Sequence, residues 1–425
     1  MRPYRRSFAA LPRRAGLLYS LVVLLAIIVP PTTAASIPQQ ATAADSPLAA
    51  STKNAEIEAF IESGVEHYYS MEYDEAKEDF RAALKLQPND PAIINHLITA
   101  LLFDQLNHSG ALNTSLYASD KFLALKKQAS IDPRVGSEIK KLTDRSLDLS
   151  NKQLSGNPND ETALYNRGVT KGLLATYQAL IEHSWFAALR SAVGARRDHQ
   201  RVLDLDPKNE DAKMIVGMQT YIAGSLPWAV KMGASMIGFS GSKVRGLALL
   251  QQAADANGES SIDAKVALAL FLRREERYED GLKVVRSLTA AYPKNFLFAL
   301  EEANLLKDMG SNQEALDSFE ALLDAGHRGR FHEPRLEFAY YGLGEMLRGR
   351  HQYGEAAEAF ENALTLPKLD SDIRQRCALS AGEMHDMLND RADAVKKYQL
   401  AMADDPSTPM AQLARRYLHE PYRAQ

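Results

Sequence analysis

The sequence predicts an all-α chain built of stacked helix–turn–helix repeats, and three observations carry that expectation. Gly64, Ala76, Phe80, Ala83 and Pro88 follow one another at steps of 12, 4, 3 and 5 residues, and Gly382, Ala394, Tyr398, Ala401 and Pro406 repeat those steps. The 425 residues are 45% apolar and 24% charged, the balance of a folded chain and not of a disordered or collagen-like one. Cys377 is the single cysteine. It can close no intrachain disulfide and build no Cys-rich zinc centre, so helix packing must hold the chain together.

The first 35 residues differ from the rest. Arg2, Arg5, Arg6, Arg13 and Arg14 precede an uncharged run from Leu17 to Val29, which Pro30 and Pro31 end. At 1.5 Å per residue that run falls short of a hydrocarbon core of about 30 Å. A basic region, a short apolar region and the small residues Thr32, Thr33, Ala34 and Ala35 form the pattern of a secretory signal peptide over 1–35, cleaved after Ala34 or Ala35 or else kept as an anchor. Arg5-Arg6-Ser7-Phe8 approaches a twin-arginine signal but lacks the following basic residue. Residues 36–56, rich in Ala, Pro, Gln, Ser and Thr, read as a flexible linker. The expected location is therefore the periplasm or cell envelope, with inner-membrane anchoring as the variant case.

The repeats come next. The small–small–aromatic–small steps hold in Ile57–Asp90, in Glu337–Asp370 (Gly344, Ala356, Phe360, Ala363) and in Gln375–Thr408. Phe296–Gly329 keeps Ala303, Ala315, Phe319 and Leu322, and Ile262–Asn295 keeps Ala269, Gly281, Val285, Leu288 and Pro293. Small residues let two helices approach, the aromatic fills the space between them, and proline stops the second helix. One such pair buries too little apolar surface to stand alone, so the pairs must stack. Met410–His419, with Leu413, Tyr417 and Leu418 at helical spacing, would cover the last open face.

The middle third breaks phase. Gly168 and Pro207 lie 39 residues apart where the regular spacing is 24, which adds about four helical turns shared between two long helices. A further unit starts near Asp211 and carries an insertion over 225–243. The expected organisation is thus 57–154 as one repeat plus irregular helices, 155–258 as elongated repeats, 259–408 as a C-terminal array and 409–425 as cap and tail.

These spacings resemble the tetratricopeptide repeat, a 34-residue helix–turn–helix unit with small residues at positions 8, 20 and 27, an aromatic at 24 and Pro at 32. Over its length the chain resembles exported bacterial tetratricopeptide-repeat proteins of unassigned function, Gly238-Phe-Ser-Gly-Ser-Lys-Val-Arg-Gly-Leu247 being part of the likeness. The resemblance implies a right-handed superhelical solenoid whose first helices line a concave groove through positions 2, 5, 9, 12 and 13. It names packing residues and supplies no active site.

The chemistry-bearing motifs are few. No zincin, nucleophile-elbow or phosphate-loop pattern is complete; in Gly238-Phe239-Ser240-Gly241-Ser242-Lys243 a serine separates the last glycine from the lysine. His327 and His332, with Glu333, flank a loop whose Arg328 and Arg330 would repel a cation. No catalytic residue, metal or cofactor is expected. Fifty basic against 54 acidic residues give a net charge of −4, which argues against a nucleic-acid partner.

What remains is a groove. Position 12 is Arg273, Lys307 and Arg348 in three units, a candidate basic ladder; position 5 is apolar, with Leu300 and Tyr341 beside Leu270 as expected anchors; and Asn304 stands at position 9. Such a groove would take a protein or peptide segment with apolar anchors and some negative charge. The chaperone-carboxylate clamp pattern, Lys at position 5 and repeated Asn at 9, is not met. Arg190, Arg197 and Arg201 form a second basic stripe, with Asp198 beside it. The apolar stretch 226–239, containing Trp228, Met232, Met236 and Ile237, offers an alternative role as a membrane-associated assembly factor. An enzymatic site in the middle third is the third reading, and no polar cluster in the sequence supports it.

Overall fold

The computed structural model describes residues 47–116, 131–226, 231, 240–256, 258–367 and 369–424. The expected signal peptide, residues 36–46 of the linker and most of the 226–239 insertion, Trp228, Met232, Met236 and Ile237 among them, lie outside the described residues. Every regular element among those residues is helical. The helices are α1 (Pro47–Tyr69), α2 (Tyr73–Leu86), α3 (Pro91–His108), α4 (Pro133–Gly156), α5 (Glu161–Leu180), α6 (Trp185–Leu205), α7 (Glu210–Ser225) and α8 (Lys243–Asp255). They continue as α9 (Ser261–Arg274), α10 (Tyr278–Ala291), α11 (Phe296–Asp308), α12 (Asn312–His327), α13 (Leu336–Gly349), α14 (Tyr353–Leu364), α15 (Ser371–Met387), α16 (Arg391–Ala401) and α17 (Pro409–His419).

The turns between paired helices share one backbone device. Met71, Glu276, Gly310, His351 and Asn389 all have φ between 58° and 76° and all stand at position 15 of their repeats. The next N–H then reaches back five residues: Glu72 to His67 O, Arg277 to Leu272 O, Ser311 to Leu306 O, Gln352 to Leu347 O and Asp390 to His385 O. This left-handed closure satisfies carbonyls that the ending helix leaves open. Only one of the five residues is glycine. Starts are equally local: Asp160, Asn209, Asn295 and Thr408 accept from the N–H three residues on, and Pro409 supplies a preset φ at the start of α17.

The described residues divide into two compact units. The second draws on Glu62–Ala76, Leu106–Ser115 and Ala269–Gln425. Within it α10 to α17 each pack on the next helix in sequence, and α11 on α13, α13 on α15 and α15 on α17 give the first helices of successive pairs a row of their own. The repeat residues fill its core: Ala315, Phe319, Ala356, Phe360, Ala363, Ala394, Tyr398 and Ala401 are fully buried. In the first repeat Gly64, Ala76, Phe80 and Ala83 are buried as well, while Pro88 is exposed. Cys377 is fully buried, and burial pushes its thiol well above the usual range.

Position 8 meets position 24. A Cβ on Gly344 would lie 2.5 Å from the Phe360 ring, and one on Gly382 would lie 2.6 Å from the Tyr398 ring. The Tyr398 hydroxyl donates to Asp386 Oδ2 at 2.7 Å, so that ring cannot withdraw without breaking a bond. Gly382→Ala should therefore cost about 1–3 kcal/mol, the usual penalty of overpacking, read as a lowered urea midpoint. An unchanged midpoint would show that the ring yields freely.

The first unit draws on the described residues within 47–61, 77–105 and 116–268. Its pair α5–α6 turns at His183, eight residues beyond Ala175, the expected position 15. His199 occupies the place of the missing aromatic: its ring lies 2.4 Å from where a Gly168 Cβ would stand and 5.1 Å from the Tyr165 ring. In α7–α8, Gly246 comes so close to the Tyr221 backbone that a Cβ would lie 2.4 Å from its nitrogen.

Candidate functional site

The residues predicted to line the groove all belong to the second unit, on α9, α11 and α13. The structure sorts them into three groups. Leu270 and Leu300 are core residues, each 2% exposed, so the expectation that partner anchors bury against them is corrected.

Arg273 also changes role. It is 4% exposed, donates from Nη1 to Glu301 at 2.9 Å and pairs through Nη2 with Asp308 at 2.7 Å. Burial opposes its charge, but Glu301 and Asp308 more than hold the guanidinium protonated. Arg348 is paired too, with Glu345 at 3.0 Å and Glu383 at 3.2 Å. Burial raises the Glu383 carboxyl to about 7 against the pull of Arg348. The basic ladder is therefore a mixed ion network: its outer rungs already carry their counter-ions.

Asn304, Lys307 and Tyr341 form the third group. Lys307 pairs with no carboxylate among the described residues, and burial lowers its ammonium below the usual lysine range, with Asp308 pulling the other way. Asn304 is 4% exposed, and its side-chain amide finds no hydrogen-bond partner among the described residues. The Tyr341 ring lies 5.6 Å from that of Phe360, and burial raises its phenol. Glu345 exerts its charge on both Lys307 and Tyr341, and its Oε1 is buried without a hydrogen bond. The packed helices α11 and α13 thus present one cation, one amide and one phenol not consumed by the fold among the described residues.

The acidic partners were missed at the sequence level, although a signal existed. Arg273–Asp308, Arg335–Asp370 and Arg348–Glu383 share a separation of 35 residues, one repeat plus one. Opposite charges at that offset belong to neighbouring helices of a stack.

The remaining candidates resolve into structure. Asp198 is 3% exposed and turns inward to Arg167 at 2.7 Å and Lys171 at 2.6 Å on α5, away from the Arg190 and Arg197 stripe. Arg201 donates to Asn159 at 2.8 Å. Ser242 caps α8, and a Cβ on Gly241 would lie 2.2 Å from Thr220 O, so this end of the glycine phrase is helix packing. His327 bonds the Tyr340 hydroxyl at 2.7 Å. Donor atoms of His385, Asp390 and Asp393 lie within 4.8 Å of one another, but Lys396 already neutralises Asp393 and His385 bonds Glu361 at 3.0 Å.

Comparison with known proteins gives one family match: residues 226–369, about a third of the chain, fit the family described as Iml2/Tetratricopeptide repeat protein 39. No match was found among curated proteins. Among solved structures, the chain is similar to a tetratricopeptide repeat protein from Parabacteroides merdae, with 17% identity, 77% of this chain and 99% of that one covered and a TM-score of 0.33. It is similar to PilW, a widely conserved type IV pilus biogenesis factor, with 17% identity, coverages of 58% and 96% and a TM-score of 0.40. For yeast Tom70 the values are 13%, 86%, 95% and 0.40. At these scores the likenesses carry no argument about function.

Proposed function

We propose, from the premise that the chain is a tetratricopeptide-repeat protein, that it is a non-catalytic scaffold holding a protein segment against the inner helices of its C-terminal array. The observation that carries this reading is the free polar group set of Asn304, Lys307 and Tyr341. A desolvated ammonium without a counter-ion is costly, and a carboxylate or carbonyl oxygen from a bound segment would supply what the fold withholds. The Asn304 amide can pair with a segment's main chain, and the Tyr341 ring offers apolar contact. The acidic preference of the partner narrows to one position, facing Lys307, because Arg273 and Arg348 are spoken for.

The setting proposed is the cell envelope, on the strength of the arginine-rich and apolar leader in residues 1–35. No described helix is long and apolar enough to cross a membrane. N-terminal sequencing of the protein recovered from a periplasmic extract tests the export reading; a start at Met1 in the cytosol would overturn it.

Photo-crosslinking in cells, with a reactive side chain at position 304, tests the site. Lys307→Glu should lower capture about tenfold or more, as loss of a central contact does. Arg201→Glu, in the other unit, should leave capture intact. Equal yields from all three chains would remove the site.

A further inference from the structure

We propose that residues 106–115 form a strap that opens separately from the unit on which it lies, with Arg335 as its latch. The segment comprises the end of α3 and the turn after it, and it packs with residues more than 180 positions away. Its hold is polar. Arg335 Nη1 donates to Asn107 O at 2.8 Å and to His108 O at 2.7 Å, so the guanidinium caps the carbonyl end of α3. The same side chain is fixed from below by Glu337 through Nε at 2.5 Å and by Asp370 through Nη2 at 2.7 Å. His108 Nε2 meets Glu333 at 3.1 Å, and the Thr114 hydroxyl donates to Glu301, the carboxylate that also holds Arg273.

The strap offers little apolar surface. Across residues 106–115 the large aliphatic residues are Leu106, fully buried at its start, and Leu112, half-buried; the others read Asn-His-Ser-Gly-Ala before Leu112 and Asn-Thr-Ser after it. Gly110, at φ 70°, makes the turn; a Cβ there would lie 3.0 Å from the Phe338 ring and 3.2 Å from Arg335. Segments tied by hydrogen bonds and few apolar contacts open locally at lower cost than the core beneath them. The α11–α13 core under the strap has the opposite character, with Phe296, Ala303, Leu305 and Ala339 fully buried.

Opening would uncover Phe338 and Glu301 on the helices that bear Lys307 and Tyr341. That consequence for ligand access rests on the scaffold reading above. The opening itself does not, and hydrogen exchange on the ligand-free full chain tests it alone.

The amides of Gly110 and Ala111, bonded to Asn107 O and Leu106 O at 2.9 Å each, report the strap; amides of α16 report the core. In the native chain the strap amides should exchange well before those of α16. Arg335→Gln should speed strap exchange a further 10- to 100-fold, roughly the loss of one charge-assisted hydrogen bond, with α16 unchanged. Should that variant fail to fold, Thr114→Val and His108→Ala remove two further ties from the strap side and should act in the same selective way. Strap and α16 amides exchanging together in the native chain, or shifting together in the variants, would make the segment part of the core and overturn the proposal.

Discussion

Arg273→Met should destabilise the second unit by about 3–5 kcal/mol, while Arg273→Met combined with Glu301→Leu should recover most of the loss. The asymmetry follows from burial. Glu301 is 5% exposed, and without the guanidinium its carboxylate keeps only the Thr114 hydroxyl as donor. Burial already raises the Glu301 carboxyl and Arg273 pulls it back, so deleting the arginine leaves an uncompensated buried acid. Removing both charges leaves Asp308, whose side chain reaches solvent at 26% exposure and tolerates the change. Urea unfolding of the single and double variants measures the difference. A ligand-binding arginine on an open groove would behave otherwise: its loss would weaken capture and leave the urea midpoint within about 0.5 kcal/mol. A single variant as stable as the native chain would return Arg273 to the groove.

That contrast shows where sequence reasoning reached and where it stopped. The small and aromatic residues at steps of 12, 4 and 3 are buried as their spacing requires, because a repeat's packing code lies within one helix pair. Gly344 against Phe360 and Gly382 against Tyr398 are 16 residues apart and repeat identically. The charges are another matter. Position 12 looks like a basic column when one repeat is aligned on the next, but Arg273 and Arg348 each find a carboxylate on another helix of the stack. For Arg273 and Arg348 one partner stands at the offset of 35, and for Arg273 the other, Glu301, stands 28 residues away. Positions 9 and 5 misled for the same reason: Leu270 and Leu300 look like groove walls by number, and the stack turns them into core. The strap was illegible altogether. Its ties join His108 to Glu333 and Asn107 to Arg335, separations of 225 and 228 residues that no local pattern encodes. His199 stands between these cases. The long helices of the middle third announced a displaced pair, yet the ring that fills the aromatic's place could be recognised only once Gly168 was seen against it.

The same buried ring makes the first unit sensitive to acid. His96 is 1% exposed and stacks on Phe80 at 5.0 Å; burial pushes its imidazole down to about 3. His199, fully buried, is pushed down to about 4, again by burial, with the Ala195 carbonyl and Asp198 resisting. Both folded values lie below the ordinary 6.5, so the unfolded chain takes up protons first as pH falls. Their contribution is fully present above pH 6.5 and is lost progressively down to pH 3–4. Between pH 7 and pH 5 the pair should cost the first unit about 4 kcal/mol, near 1.4 kcal/mol for each ring per unit of pH below 6.5. Glu259 works in the opposite direction: partial desolvation and then Asp211 raise its carboxyl, although the residue keeps an exposed face, so its contribution grows as pH falls towards 4.5. The wild-type slope is therefore a difference of opposing effects. A chain with His96→Gln and His199→Gln isolates the imidazoles, since Glu259 acts alike in both proteins and cancels. Stability measured in urea at pH 7 and pH 5 should fall about 4 kcal/mol more in the native chain than in the double variant. Equal falls in the two would mean that the rings reach water in the folded state, and that the aromatic slot against Gly168 is not closed.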